Sequence, residues 1–290
     1  MKNIFFFFLF LSAFSTNSFA QTNGENQFDS AGFYHNEGLD YALENLELPI
    51  ASGDDIIANV DAYFQIKGFS GMSDFLSSSS NRILAYEFEN ASDLSAVFSE
   101  KGMSIQFCSY YSAIDRALED ASSPEDFYSA MISLESEINS SSIEDEEKQI
   151  LLSSASVYRY SVAYWSSEEK VNAWTTKMGG TVAQRYNVAM PLGLAFSLPT
   201  ELIEDGLNAE SKIMYTSIPF VDNNTYFVFS WKSLGKADGK GAIEGGVAGA
   251  LGGLYIAGPL GGLGGAVAGG VGWGAGCSVS NAIGQLTGWW

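Results

Sequence analysis

The sequence predicts a mainly α-helical protein: a helical bundle with at most one β-hairpin, followed by a glycine-rich helical hairpin at the C-terminal end. Three observations support this fold class. Hydrophobic residues make up 46% of the 290 residues, which is enough to form a core. They recur at three- and four-residue spacing after serine or asparagine residues typical of helix caps. Strand-like composition is confined to one short region.

The first 20 residues have the features of a signal peptide. Lys2 supplies a positive charge, and residues 4–14 form an apolar run too short to span a membrane. Ser18 and Ala20 place small residues where a signal peptidase requires them, so we expect cleavage after Ala20. Since no cysteine precedes Cys108, a lipid anchor at the new N-terminus is not expected. The predicted location is the periplasm, outer envelope or exterior of a bacterium.

Composition divides the mature chain into two parts. Residues 21–234 contain 32 acidic and 11 basic residues, whereas residues 235–290 contain two of each and 20 of the 31 glycines. We therefore predict an acidic, mostly helical domain over residues 21–234 and a glycine-rich segment over residues 235–290, joined by a linker at residues 233–240. The net charge of −20 disfavours nucleic acid as a partner, because phosphate binding requires surplus lysine and arginine.

Five helices are expected in the acidic domain, each from a cap followed by periodic apolar residues. Proline at the first helical position is tolerated because its missing N–H needs no partner there. Paired glycines at 179 and 180 are expected to end the last of the five. The expected starts lie at Asn36, Ser52, Ser123 with Pro124, Ser142, and Ser167.

Residues 212–220 and 226–231 have a strand-like composition and flank the polar sequence Asp222-Asn223-Asn224. A β-hairpin with a polar turn fits this pattern, and so does a pair of buried helical turns. An isolated hairpin is only marginally stable, so it would have to pack on the helices.

The sequence offers little catalytic chemistry. His35 is the single histidine, and we interpret it as a surface residue or one at the start of a helix, rather than as a general base. The acidic run at residues 144–147 is typical of a first helical turn, where the helix dipole favours negative charge. We assign no catalytic, cofactor-binding or metal-binding residue and expect a protein that is not an enzyme. An enzyme that uses carboxylates of the acidic domain is one alternative.

Two further residue groups have competing interpretations. Cys108 and Cys277 fall in the two different parts of the chain, so two unpaired thiols are favoured over a disulfide. Five aromatic residues are interpreted as core, although they would also suit a sugar or peptide cleft. These are Tyr158, Tyr160, Tyr164, Trp165 and Trp174.

The C-terminal segment is uncharged over the 46 residues from 245 to 290, which suffices for one tilted membrane span or two helices folded back at Pro259. A flexible soluble tail and a hairpin buried inside the protein are the alternative interpretations. Small residues recur at every fourth position, and on a helix such a row forms a groove that lets another helix approach closely. The main helix-packing row is Gly241, Gly245, Gly249, Gly253, Ala257, Gly261, Gly265 and Gly269. A second row is Gly258, Gly262, Ala266, Gly270, Gly274 and Ser278.

Residues 245–253 and 257–270 resemble the glycine-zipper segments of bacterial envelope proteins and, less closely, the glycine-rich helices of class II bacteriocins. The resemblance covers about 50 of the 290 residues and implies helix packing without a specific activity. It favours an exported envelope protein that associates with a membrane, or with itself, through this segment. A secreted membrane-active effector is the main alternative, and the partner of the acidic domain is not predicted.

Overall fold

The computed structural model describes residues 22–47, 53–67, 94–177, 230–252, 270–272 and 274. All regular secondary structure in these ranges is helical, which confirms the predicted mainly α fold. Residues 270–272 and 274 are also helical. The helices are α1 Ser30–Asn45, α2 Gly53–Ile66, α3 Leu94–Glu100, α4 Ile105–Asp120, α5 Pro124–Ser140, α6 Asp145–Ser166, α7 Glu168–Lys177 and α8 Trp231–Gly252.

Local cap signals predicted three helix starts correctly, and one of these is the start of α2, which begins at Gly53 directly after Ser52. Helix α5 begins at Pro124, and the Ser123 side chain accepts a hydrogen bond from the Asp126 N–H at 3.2 Å. Helix α7 begins directly after Ser167, whose hydroxyl accepts a longer bond of 3.5 Å from the Lys170 N–H. In α5 and α7 the side-chain oxygen satisfies an N–H that the helix itself leaves without a partner.

Two other predicted starts were misplaced. Helix α6 begins at Asp145 rather than after Ser142. Helix α1 begins at Ser30, so Asn36 lies inside the helix and does not cap it. The Asn36 amide instead donates to the Tyr160 carbonyl oxygen at 2.9 Å. The role of Asn36 is therefore set by its contact with α6. The local sequence did not reveal this role, because Tyr160 is remote from Asn36 in the sequence.

Helix α6 is the centre of the described fold. Helices α1, α5 and α8 pack along it, with α4 and α7 making smaller contacts. Its side chains are buried almost continuously from residue 150 to residue 165, whereas a surface helix keeps a solvated face. The buried set includes an arginine and four serines, so α6 depends on hydrogen bonds to its neighbours as well as on apolar contact.

Residues 233–240, expected to form a linker, are instead helical and lie within α8, which packs on α6. The glycine-rich composition suggested a flexible linker. In the structure Gly235 and Gly239 instead allow α8 to approach α6 closely, because glycine has no side chain to hold the two helices apart. Ser230 caps this helix, accepting a hydrogen bond from the Ser233 N–H at 3.2 Å. The division of the chain into two domains stays a prediction.

Several predictions fall outside the described residues, among them the signal peptide, the strand-like residues 212–220 and 226–229, and Cys277. Trp231, the last residue of the strand-like region, is the first residue of α8.

The five aromatic residues of α6 and α7 are buried, as expected for core residues. In the part of the chain that is described, none of the helices combines the length and the apolarity that crossing a membrane requires.

Candidate functional site at the glycine-rich helix

Two glycines set the distance between α8 and the central helix α6. A Cβ atom added at Gly239 would lie 2.0 Å from Cδ2 and Cε2 of the Tyr158 ring. One added at Gly235 would lie 2.8 Å from a methyl carbon of Val162. Real side chains do not approach so closely, so this packing requires glycine, and at Gly239 most strictly.

The helical residues 270–272 and 274 lie against the backbone of α8. A Cβ atom added at Gly270 would stand 2.7 Å from the Ala242 carbonyl oxygen, and one at Gly274 would stand 3.1 Å from the Asp238 carbonyl oxygen. Both neighbours are backbone atoms, which cannot move aside as a flexible side chain can. Gly270 and Gly274 belong to the second predicted row, and here they bring two helical segments into backbone contact.

The main predicted row is only partly described. Gly241 and Gly245 lie in α8 and are buried. Gly249 also lies in α8, but its surroundings are outside the described residues. The other members, which are Gly253, Ala257, Gly261, Gly265 and Gly269, fall outside the described residues. The helix-packing role of the row therefore stays a prediction.

Sequence reasoning missed the glycines that contact α6. Gly235 and Gly239 are also four residues apart, but they lie among lysines and an aspartate and were assigned to the linker. Gly32 in α1 was missed as well, although a Cβ there would lie 2.4 Å from the Tyr160 ring and 2.5 Å from the Ser156 carbonyl oxygen. The four-residue spacing was an available signal for the first two, whereas an isolated glycine gives none.

A buried polar cluster joins α8 to α1 and α6. Its centre is Asp238 of α8, whose Oδ2 accepts hydrogen bonds from Ser161 Oγ at 2.5 Å and from Trp165 Nε1 at 3.0 Å. His35 Nε2 of α1 lies 3.7 Å from the same oxygen. The side chains of His35 and Asp238 are both completely buried. We call these four residues the Asp238 cluster.

His35 is therefore not a surface residue, contrary to the sequence interpretation. The prediction failed because the apolar residues that define the buried face of α1 begin before His35, with Ala31 and Gly32. Its Nδ1 lies 3.1 Å from Asn36 Oδ1, and the amide nitrogen of Asn36 donates to the Tyr160 carbonyl oxygen. That second bond orients the amide, so Oδ1 is the acceptor and His35 Nδ1 carries a hydrogen.

The negative charge of Asp238 also acts on two phenols of α6. Burial raises the pKa of Tyr158, and nearby carboxylates, Asp238 among them, raise it further. Burial likewise raises the pKa of Tyr164. The Asp40 carboxylate raises this pKa further, and by more than the Asp238 carboxylate does. Both phenols therefore stay protonated and serve as hydrogen-bonding core residues.

A second buried network fixes residues 23–29 to α5 and α6. Arg159 donates from Nε to Glu135 Oε1 at 2.8 Å and also pairs with Asp29. Asn23 donates to the other oxygen of Glu135 at 2.6 Å. Burial raises the pKa of Glu135, and the Arg159 charge opposes this shift. These contacts join residues 23–29 to α5 and α6, which gives the network a structural role.

The acidic run that opens α6 also has a structural use. Both oxygens of Glu147 contact Ser104, the residue that caps α4: Oε1 accepts from the Ser104 N–H and Oε2 from its hydroxyl, each at 2.6 Å. Ser104 in turn accepts from the Phe107 N–H at 3.0 Å. Among the described residues, no group of three or more histidine, cysteine, aspartate or glutamate side chains is placed to hold a metal ion.

The Asp238 cluster contains a serine, a histidine and an aspartate, but not in an arrangement that activates a nucleophile. The Ser161 hydroxyl donates to the Asp238 carboxylate rather than to the imidazole, so the histidine is not placed to take the serine proton. Ser161, His35 and Asp238 are almost completely buried, which leaves a substrate no approach. The geometry suits a polar contact that holds the three helices together.

Comparison with known proteins identified no relative of this chain. No protein-family model, curated protein or solved structure matches it.

Proposed function

We propose that this is an exported, non-enzymatic protein of the bacterial cell envelope, in which the glycine-rich C-terminal segment is a helix-packing element. In this proposal the acidic helical bundle is the body of the protein and α8 attaches the segment to it. The partner of the segment is a second copy of the chain or a membrane surface.

One observation carries the proposal, the backbone contact of Gly270 with α8. A Cβ atom there would lie 2.7 Å from the Ala242 carbonyl oxygen. Helices approach this closely only when small residues occupy the contact, and the resulting van der Waals contact is extensive. The same kind of contact supports association between copies, since each chain carries further small residues at four-residue spacing.

The charged residues of α8 support a packing role for this helix over contact with lipid. Lys236 pairs with Asp115 at 3.2 Å and Glu119 at 2.7 Å, both on α4. Lys232 donates to the Glu119 carbonyl oxygen at 2.9 Å. Asp238 is held by side chains of α6, so the charged groups of α8 have specific polar partners on the bundle. On a helix that faces lipid, the same charged groups would lack such partners.

Export is tested separately from packing. The chain is expressed in a bacterium, the envelope and medium fractions are collected, and the N-terminus of the product is determined by mass spectrometry. We expect a product that begins at Gln21. Retention of the uncleaved chain in the cytoplasm would contradict the exported role.

The packing role is tested with Gly270→Leu, because deleting residues 241–290 would cut α8 and expose the core. Gly24→Leu is the matched control, since nothing lies within 4 Å of a Cβ at Gly24. Light scattering and membrane fractionation measure self-association and membrane association of each variant. We expect one of these to be lost in Gly270→Leu and kept in the control. A wild-type chain that is monomeric and absent from membranes would contradict the proposal, and dye release from liposomes would favour the effector alternative.

A further inference from the structure

We propose that Asn23 is a deamidation site, that the contacts of residues 23–29 with the bundle protect it, and that its conversion to an acid hinders these residues from docking again. We call residues 23–29 the N-terminal arm. The inference concerns this arm alone. It stands whether or not the C-terminal segment binds a membrane or a second copy.

Two neighbouring residues supply the chemistry. Asn23 and Gly24 form the only asparagine–glycine pair in the 290-residue sequence. Glycine has no side chain to crowd its own backbone nitrogen, so this nitrogen can approach the amide group of the preceding residue. Gly24 is exposed, and nothing among the described residues lies within 4 Å of a Cβ placed there. The main chain at this position is therefore open to solvent and to local rearrangement.

The reaction is an intramolecular substitution that requires only water. The Gly24 nitrogen attacks Asn23 Cγ, a bond forms between these two atoms, and the bond from Cγ to Nδ2 breaks. The amide group leaves as ammonia, taking the hydrogen that the Gly24 nitrogen gives up. Water then opens the resulting five-membered imide at either carbonyl carbon, which yields aspartate or isoaspartate.

The docked arm holds the Asn23 side chain away from this reaction. Its Nδ2 donates to Glu135 Oε2 at 2.6 Å, and its Oδ1 accepts from the Glu25 N–H at 3.1 Å. Asn23 is only 7% exposed. Ring closure has to turn Cγ toward the Gly24 nitrogen, which breaks the contact with Glu135. Asn23 therefore reacts from molecules in which the arm has detached.

The remaining contacts of the arm determine how often it detaches. The Asn26 amide donates to the Leu152 carbonyl oxygen at 2.9 Å. The Asp29 carboxylate pairs with Arg159, and the Asp29 carbonyl oxygen accepts from the Ser156 hydroxyl at 2.7 Å. Because the arm is short and near the end of the chain, it can open while the helices stay folded.

Deamidation removes the contact that fixes the start of the arm. The Nδ2 donor is replaced by an oxygen, so two carboxyl groups would meet where Asn23 now binds Glu135. A buried pair of this kind costs free energy, whether the two groups repel each other or take up a proton. Isoaspartate also adds one carbon to the main chain, which displaces the residues that follow. The modified arm therefore docks less well than the original.

The first experiment follows deamidation of the purified protein by mass spectrometry of the peptide that contains Asn23. We expect the reaction to be at least about tenfold slower in native buffer than in urea, because the docked arm must open first. Gly24→Ala is the matched variant: Gly24 does not have a positive φ, so alanine fits, and its methyl group should slow the reaction in urea.

The second experiment weakens the arm at a distance from the reacting atoms. Asp29→Ala removes the pair with Arg159, and we expect deamidation in native buffer to be at least about threefold faster. Asp40→Ala is the matched control, since it removes a paired carboxylate of α1 outside the arm and should leave the rate unchanged. If Asp29→Ala does not fold, Tyr160→Phe removes a hydrogen bond to the same carboxylate and serves in its place.

The third experiment tests the consequence of the modification. Amide exchange of residues 26–29 is compared in Asn23→Asp and Asn23→Ala, which both lose the donor to Glu135, although only the first adds a carboxyl group. We expect protection to be at least about threefold lower in Asn23→Asp. Equal deamidation rates in native buffer and urea, an unreactive Asn23 in urea, or equal protection in these two variants would overturn the proposal.

Discussion

Gly239→Ala adds one methyl group at the closest contact between α8 and α6. The new Cβ would lie 2.0 to 2.2 Å from three atoms of the Tyr158 ring, where ordinary contacts begin near 3.4 Å. Tyr158 is completely buried and packs against Phe127, so the ring has little room to turn aside. The ring or the helix must therefore shift by more than about 1 Å.

The size of the effect combines two opposing contributions. Overpacking a well-packed core costs about 1–3 kcal/mol. Replacing glycine by alanine inside a helix returns up to about 1 kcal/mol through helix propensity. We expect a net destabilisation of about 1–2 kcal/mol, which for a chain of this size lowers the melting temperature by about 2–8 °C.

Gly235→Ala is the matched control in the same helix. Its Cβ would meet one methyl carbon of Val162 at 2.8 Å, with the next atom at 3.9 Å, so a smaller shift relieves the contact. The helix-propensity gain is the same, and we expect a stability within about 1 kcal/mol of the wild type. Thermal and urea unfolding of the mature chains measure both variants. A Gly239→Ala variant as stable as Gly235→Ala would refute the packing of α8 on Tyr158.

The remaining predictions concern caps and a buried carboxyl group. Ser123→Ala should cost about 1 kcal/mol as the loss of an ordinary cap. Ser104→Ala should lower the free energy of unfolding by about 1 kcal/mol more than Ser123→Ala does, because Glu147 also loses a hydrogen-bond partner. Equal losses for the two variants in urea unfolding would argue against the contact between Ser104 and Glu147. Burial raises the pKa of Glu135, so the native state binds the Glu135 proton more tightly than the unfolded state does. The resulting stabilisation is present at acidic pH and is lost as the pH rises through the pKa of Glu135 in the native state. The stability of the wild type relative to Glu135→Gln should therefore increase from pH 7 to pH 4.5, and a decrease would contradict the assignment.

Local patterns predicted local structure. Ser123 and Pro124 specified the start of α5, and the spacing of Phe127, Met131 and Ile138 specified its buried face. The same spacing runs through α4, in Phe107, Tyr111, Ile114 and Leu118, so that helix was predictable but not proposed. In each case the signal consists of neighbours within one or two helical turns.

The Asp238 cluster was not predictable in this way. His35 and Asp238 are about 200 residues apart, so no local pattern indicates that they meet. Asp238 lies among lysines and glycines, a composition typical of a solvated linker, and its partners lie on α6. Sequence periodicity identifies the face of a helix that is buried. It does not identify the residue that the face meets.

Amide hydrogen exchange of residues 231–247 in the mature protein, without lipid and at pH 6, tests most directly whether α8 packs on the bundle. The contacts with Tyr158, Val162 and the Asp238 cluster predict exchange as slow as that of the central helix, residues 150–165. Exchange at the rate of an unfolded peptide, while the central helix stays protected, would contradict the account.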